Sequence, residues 1–323
     1  MAYEPPLEET YKNLIHISLG ESKDNHTSTV EEWDLPLIDL SELDFDRGKC
    51  IKEIAEAARE WGFFQVVNHG VSKEVLRSLQ CEQMKVFHLP FERKIEENFL
   101  KLTANSYRWG NLNATSLRQI LWSEALHISL MDISKLDGSL RSNVEAFTTA
   151  AADLAQSLAE ILAQTLGIES GYFRENCLPN TSYLRMNRYP PCSFASNVFG
   201  LMPHTDSSFL TILYQDQVGG FQLMKDGKWL GVKPNPEALI INIGDLFQAL
   251  SNGVFKSIKH KVVSTPQERL SVAYFYCPSD EAVIQSCTKP ALYKKFSFAE
   301  YKRQTQIDVQ ETGGKVGLPR FLL

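Results

Sequence analysis

Apolar positions change their spacing part-way along the chain. In the first half they recur every three or four residues. Ile51, Ile54, Ala55, Ala58 and Trp61 fall on one face of a helix. Val144, Phe147, Ala151, Leu154, Leu158, Ile161 and Leu162 predict a second, long amphipathic helix that stops near Gly167. Both stripes read as core packing. Gly62 ends the first helix, and Phe63-Phe64-Gln65-Val66-Val67 reads as a strand, as does Leu35–Leu40. From Ser182 the pattern shifts to short runs rich in β-branched and aromatic residues, separated by Pro, Gly and Asn. These runs are 182–189, 204–214, 220–224, 238–243, 256–263 and 269–277, and residues 297–306 return to helix. Short strands at such spacing predict an antiparallel sandwich or barrel rather than βαβ units. The expected fold is mainly β with flanking helices: a jelly-roll core at 181–323 with a C-terminal helix, behind a helix-rich region at 34–180. Residues 1–33 form an N-terminal segment whose stretch 20–33 is polar and aperiodic, and reads as a connection.

Composition narrows the function classes. A chain of 323 residues with 43% hydrophobic and 22% charged positions is that of an ordinary globular protein with room for a large core. A net charge of −6 gives no basic field to attract nucleic acid. No run approaches the ~20 apolar residues that span a bilayer; the run 238–243 is short and already holds Asn242. Met1–Thr10 lacks a charged start followed by an apolar run. The six cysteines show no paired metal spacing and read as reduced, mostly buried thiols; Cys192, beside Pro190-Pro191, is the one with a conceivable redox role. The expectation is a cytoplasmic protein, nuclear access left open, acting on a small molecule with no nucleic-acid or membrane partner. Its oligomeric state is left open.

The candidate chemistry starts at His204-Thr205-Asp206, read as opening the strand-like run 204–214. Residues i and i+2 of a strand share a face, so His204 and Asp206 would converge on one point. His260, in the run 256–263, is far enough along the chain for the sheet to return and supply a third ligand. Two imidazoles and one carboxylate make the facial triad of non-haem iron(II) oxygenases. Alone, His260 reads more readily as a solvated or capping histidine. Arg269 and Ser271 follow a Pro-containing turn and again share a strand face. A guanidinium and a hydroxyl so placed would hold the far carboxylate of a dicarboxylic co-substrate, whereas an isolated strand Arg is more often a surface ion-pair residue.

These pieces together resemble the plant soluble iron(II)/2-oxoglutarate-dependent dioxygenases. The resemblance adds Asn187-Arg188-Tyr189-Pro190-Pro191-Cys192, Leu35–Leu40, Trp61–Gly70 and Phe87–Lys94, and runs from about residue 34 to 300. It implies a double-stranded β-helix, Fe(II) on His204, Asp206 and His260, and 2-oxoglutarate on Arg269, Ser271 and the Tyr189 hydroxyl, with Asn187 near the keto-acid end. It also implies O2 as oxidant, ascorbate as reductant, and hydroxylation coupled to loss of carbon dioxide and release of succinate. The stretch Ser106-Tyr107-Arg108-Trp109-Gly110 is similar to the gibberellin 2-oxidases, particularly those acting on twenty-carbon gibberellins. That likeness implies 2β-hydroxylation, which inactivates the hormone, with Tyr107, Arg108 and Trp109 as substrate-binding residues and Arg108 on the substrate carboxylate. The plainer reading is a solvated Arg108 beside a packing Trp109. Leu121-Trp122-Ser123-Glu124-Ala125 lacks the Pro and Lys of the matching segment in gibberellin 20-oxidases. Still open are a 20- or 3-oxidase, the same chemistry on a flavonoid, alkaloid or other small metabolite, a zinc hydrolase on the same His-Asp-His set, and a non-catalytic hormone binder.

Overall fold

The computed structural model describes residues 3–21, 30–169, 171–193 and 198–323; most of the polar connection expected at 20–33 lies outside them. Among the described residues, thirteen strands build two facing sheets. The first are β1 (Glu32–Trp33), β2 (Leu37–Asp39), β3 (Phe63–Val67), β4 (Tyr107–Trp109), β5 (Glu124–Ser129) and β6 (Tyr183–Tyr189). There follow β7 (Phe199–His204), β8 (Leu210–Gln215), β9 (Phe221–Lys225), β10 (Lys228–Val232), β11 (Leu239–Ile243), β12 (His260–Val263) and β13 (Arg269–Tyr276). The larger sheet runs β2-β3-β11-β8-β13-β6-β5-β4, and the smaller β1-β10-β9-β12-β7. From β6 onward the chain passes back and forth between the sheets, which is the jelly-roll path.

Alternation along the central strands separates two cores. Leu184, Met186, Val272 and Tyr274 project outward from the large sheet into one apolar cluster with Val144, Phe147, Leu158 and Leu162 of the helix Gly138–Thr165. Tyr189, Leu213, Phe221, Val262 and Ala273 project inward into a second cluster between the sheets. A one-residue slip would exchange these faces, so burial on both sides fixes the register. The inward set includes polar residues as well, and these form the site described below.

Several expectations are corrected. His204 does not open a strand; it ends β7, and β8 starts only at Leu210. The run 256–263 is a strand only from His260. The helices Leu7–Glu21 and Lys73–Phe87, and strand β10, were not expected. Close backbone approaches explain two glycines. A Cβ on Gly62, which has φ +64°, would lie 2.1 Å from the Lys256 carbonyl oxygen, and one on Gly244 would lie 2.0 Å from that of Ser208. Among the described residues no helix is long and apolar enough to cross a membrane.

Candidate active site

His204 and His260 stand directly opposite one another across β7 and β12. Their rings are 4.3 Å apart, centroid to centroid. Asp206 reaches them from the loop after β7, not from the strand. Its Oδ1 lies 3.5 Å from His204 Nε2 and 3.7 Å from His260 Nε2. One ligand atom from each residue therefore falls within 4.8 Å of the others. The loop is held by Asp245, whose backbone N–H donates to the Asp206 carbonyl at 2.9 Å.

Each group turns a potential ligand atom toward one point. The His204 Nδ1 lies 2.8 Å from the Met202 carbonyl and the His260 Nδ1 3.0 Å from that of Ile258. A carbonyl only accepts, so each Nδ1 carries a proton and each Nε2 is the ring nitrogen turned toward Asp206. Burial, then the neighbouring His204, pushes the His260 pKa down to about 4, which keeps its ring neutral. Burial works to raise the Asp206 pKa, but in acid, where the two histidines take up protons and charge, they and the Thr211 hydroxyl outweigh it and hold the carboxyl far below the usual range. The second Asp206 oxygen, Oδ2, accepts from Asn242 Nδ2 at 2.5 Å and Thr211 Oγ1 at 2.7 Å. Oδ1 is left for the metal side.

Arg269 lies in the same cavity as the triad, together with Ser271, Asn187 and Tyr189. Its guanidinium is 1% exposed, sits 4.8 Å from the centre of the Tyr189 ring, and donates one bond, to Gln215 Oε1 at 2.7 Å. The Arg269 Nε and Nη1 are buried with no hydrogen-bond partner. Leaving a buried cation so unsatisfied costs several kcal/mol. A carboxylate reaching the cavity floor would supply the missing acceptors. Ser271 Oγ is 3.4 Å from Asn187 Nδ2 on the neighbouring strand.

Tyr107, Arg108 and Trp109 do not line this cavity. They form β4, at the far edge of the large sheet. Tyr107 and Trp109 point outward: the Tyr107 hydroxyl donates to Glu124 Oε2 at 2.5 Å, and Trp109 meets Phe91 edge-on at 5.3 Å. Arg108 is exposed and points to the inner face, in register with Ala125 and, one strand on, Asn187.

Residues 180–278 match the family described as the 2OG-Fe(II) oxygenase superfamily, and residues 35–143 that described as non-haem dioxygenase in morphine synthesis N-terminal. The chain is 53% identical to gibberellin 2-beta-dioxygenase 8 of Arabidopsis thaliana, over 99% of this chain and 98% of that protein. It belongs to the 2OG-Fe(II) oxygenase superfamily. Gibberellin 2-beta-dioxygenase 6 of Oryza sativa subsp. japonica is 44% identical over 99% of this chain and 96% of its own length. Among solved structures, that of JOX2 in complex with 2OG, Fe and JA superposes with a TM-score of 0.77 at 29% identity, covering 95% of this chain and 97% of that one.

The enzyme accordingly works with Fe(II) and 2-oxoglutarate. Both fit the residues present: a donor set of two imidazoles and one carboxylate for the metal, and an orphaned guanidinium for the keto acid's distal carboxylate. Sequence reasoning missed the residues that hold these groups in place. Asn242 left a signal, as the one polar residue in a run of apolar ones. Thr211 and Gln215 left none, because a polar residue on one face of a strand is ordinary. Lys315 and Tyr301 were also unseen; Lys315 Nζ donates to the Thr205 carbonyl and to Ser207 Oγ, both at 2.8 Å, and pairs with Asp245, which also accepts from the Tyr301 hydroxyl.

Proposed function

We propose that this chain catalyses the 2β-hydroxylation of gibberellins, with His204, Asp206 and His260 as the iron ligands. Arg269, Ser271, Tyr189 and Asn187 are the proposed 2-oxoglutarate site. The observation that carries the site assignment is the pair of orphaned Arg269 nitrogens, buried in one cavity with the triad. Near full-length identity to gibberellin 2-beta-dioxygenases carries the substrate. In this reading residues 181–323 are the catalytic core, 34–180 a bracing, helix-rich layer and 1–33 an N-terminal segment.

Bound iron and 2-oxoglutarate would supply the oxidising power with O2, one oxygen atom going to succinate as the keto acid loses carbon dioxide and the other into a substrate C–H bond. The residues of the chain do the rest. Asp206 and the two imidazoles would hold the metal through one ligand atom each. Arg269 fixes the far end of the keto acid, and its Nε and Nη1 gain the acceptors they lack. Phe221, Leu213 and Val262 line the cavity beside these groups and exclude water from the reacting atoms.

The test is incubation of the iron-loaded enzyme with 2-oxoglutarate and a panel of nineteen-carbon gibberellins, twenty-carbon gibberellins and flavonoids, with products identified by mass. The expected result is a gibberellin one oxygen heavier, formed in step with succinate. Oxidation of a flavonoid with every gibberellin untouched would overturn the substrate assignment while leaving the reaction class intact.

A further inference from the structure

One cation of the active-site cavity has no role in the account above. Arg185 stands on β6, two residues before Asn187, and lines the same cavity as the triad and Arg269. It is half-buried, and its Nε donates to Asn187 Oδ1 at 2.8 Å. Among the described residues no carboxylate pairs with its guanidinium. Arg188 on the same strand shows the contrast. That guanidinium points outward and meets three carboxylates: Glu124 and Glu268, both at 2.6 Å, and Glu4 at 3.1 Å.

Strand register adds two groups beside Arg185. His127 on β5 is its direct cross-strand partner. Arg108 on β4 is in register with Ala125, two residues before His127 on the same face. Its Nε donates to the Asn105 carbonyl at 3.1 Å, and it too has no acidic partner among the described residues. His127 keeps part of its ring in solvent. Loss of water around the remainder, then the charges of Arg185 and Arg108, push its pKa down to about 4. The imidazole is therefore neutral, and both guanidinium charges stand uncompensated on the inner face of the sheet.

An apolar surface adjoins them. Tyr183 lies two residues from Arg185 on the same face, stacked on Phe275 with ring centroids 4.5 Å apart and planes 12° apart. The His127 ring meets Tyr183 at 4.5 Å from the other side. Phe275 lines the metal cavity. Phe275, braced by the Tyr183 stack and bordered by unpaired cations, matches a rigid apolar molecule with one carboxylate, and matches a neutral flavonoid poorly.

We propose that Arg185 is the substrate's carboxylate anchor, with Arg108 as an outer cation at the rim, and that the acid lies against Phe275. The proposal deepens the gibberellin reading and rests on it for the identity of the acid. The Asn187 contact gives Arg185 a rival role, in positioning the 2-oxoglutarate site, and the two roles move different Michaelis constants.

The experiment measures KM for the acid and for 2-oxoglutarate in wild type, R185Q, R185K and R108Q, over a panel of gibberellins and unrelated apolar acids with their methyl esters. Loss of a charge-assisted pair predicts a KM for the acid roughly ten- to hundredfold higher in R185Q, less in R185K and least in R108Q. The wild type should handle the ester about as poorly as R185Q handles the acid, and R185Q should lose little further on the ester. A rise confined to the 2-oxoglutarate KM, or no acid preferred to its ester by the wild type, overturns the proposal. The ester comparison needs no variant, so it decides even if R185Q fails to fold. Preference for a non-gibberellin acid that R185Q abolishes would remove the gibberellin reading and keep the anchor. Gibberellin and its ester oxidised alike would do the reverse.

Discussion

At the scale of single residues, orientation matters as much as identity. Asp206 has two oxygens, and the active site distinguishes them by satisfying one. Asn242 and Thr211 both donate to Oδ2, so Oδ1 stays toward the imidazoles. Removing Asn242 frees the carboxylate to rotate while leaving every ligand in place. Asn242→Ala is therefore expected to weaken Fe(II) about 10- to 100-fold, the usual cost of losing a group that orients a ligand. Metal titration followed by retained succinate formation at saturating iron checks this; an unchanged affinity would mean Thr211 suffices alone. The ligand candidates were legible because their local spacing is short and their residue types are chemically loud. Yet His204 and Asp206 do not share the strand face that their spacing predicts. They converge because the chain turns after β7, and the cross-strand partner of His204 is His260. Thr211 was invisible for the opposite reason, since threonine is common in strands on packing grounds alone.

At the scale of elements, a buried ionic cluster joins pieces distant in sequence. Lys94 and Arg188 are both 0% exposed and meet at Glu124, Lys94 Nζ on Oε2 and Arg188 Nη1 on Oε1, each at 2.6 Å. Tyr107 adds a bond to the same carboxylate. The cluster ties β4, β5 and β6 to the segment Phe91–Lys94. Breaking a buried pair from one side leaves uncompensated charge, so Glu124→Gln should cost about 3–5 kcal/mol. Arg141 and Glu145 pair at 2.8 Å on an exposed helix face, and Arg141→Ala should cost only about 0.3–0.5 kcal/mol. Denaturant titration of both variants compares them directly, and equal losses would contradict the burial argument. The same contrast explains which elements were readable. The helix Gly138–Thr165 buries a clean apolar stripe and was expected almost in full. The helix Lys73–Phe87 buries Glu82 and Gln83 among its apolar residues, and Gln83 Nε2 donates to the carbonyls of Asn187 and Ser271, both at 2.9 Å. Buried polar positions broke its periodicity. Strand β7 carries Gly200 and Pro203 and is mostly half-buried, so it shows neither alternation nor a continuous apolar run.

At the scale of the whole molecule, the sandwich class was legible from strand spacing, while sheet order was not, because pairing between distant strands leaves no local mark. Acid stability is likewise a sum over distant sites, with a sign set by each. His69 lies in the loop after β3, where the Val71 N–H donates to its Nδ1 at 3.2 Å. A ring nitrogen that accepts is unprotonated, so the folded state holds this imidazole neutral. Burial lowers its pKa below the ordinary 6.5, outweighing the opposing pull of Glu237. The unfolded chain then binds more protons just below pH 6.5, and stability rises with pH across that window. The His69 contribution is complete above pH 6.5 and declines as pH falls toward the folded value. Glu268 acts later. Burial would raise its pKa, but the bonds from His88 and Arg188 lower it below the ordinary 4.5. Its contribution is present above pH 4.5 and is lost only in stronger acid. Chelated, metal-free protein should therefore lose stability in two stages, one beginning near pH 6.5 and a second below pH 4.5. His127 and His260, also held below 6.5, share the first stage. His69→Asn, which keeps a short polar side chain without a titrating ring, should thus make that stage shallower without removing it, and leave the second. Equilibrium unfolding in urea at pH 7.5, 5.5 and 4 measures both; a His69→Asn profile parallel to the wild type between pH 7.5 and 5.5 would show that this imidazole titrates as it does in the unfolded chain.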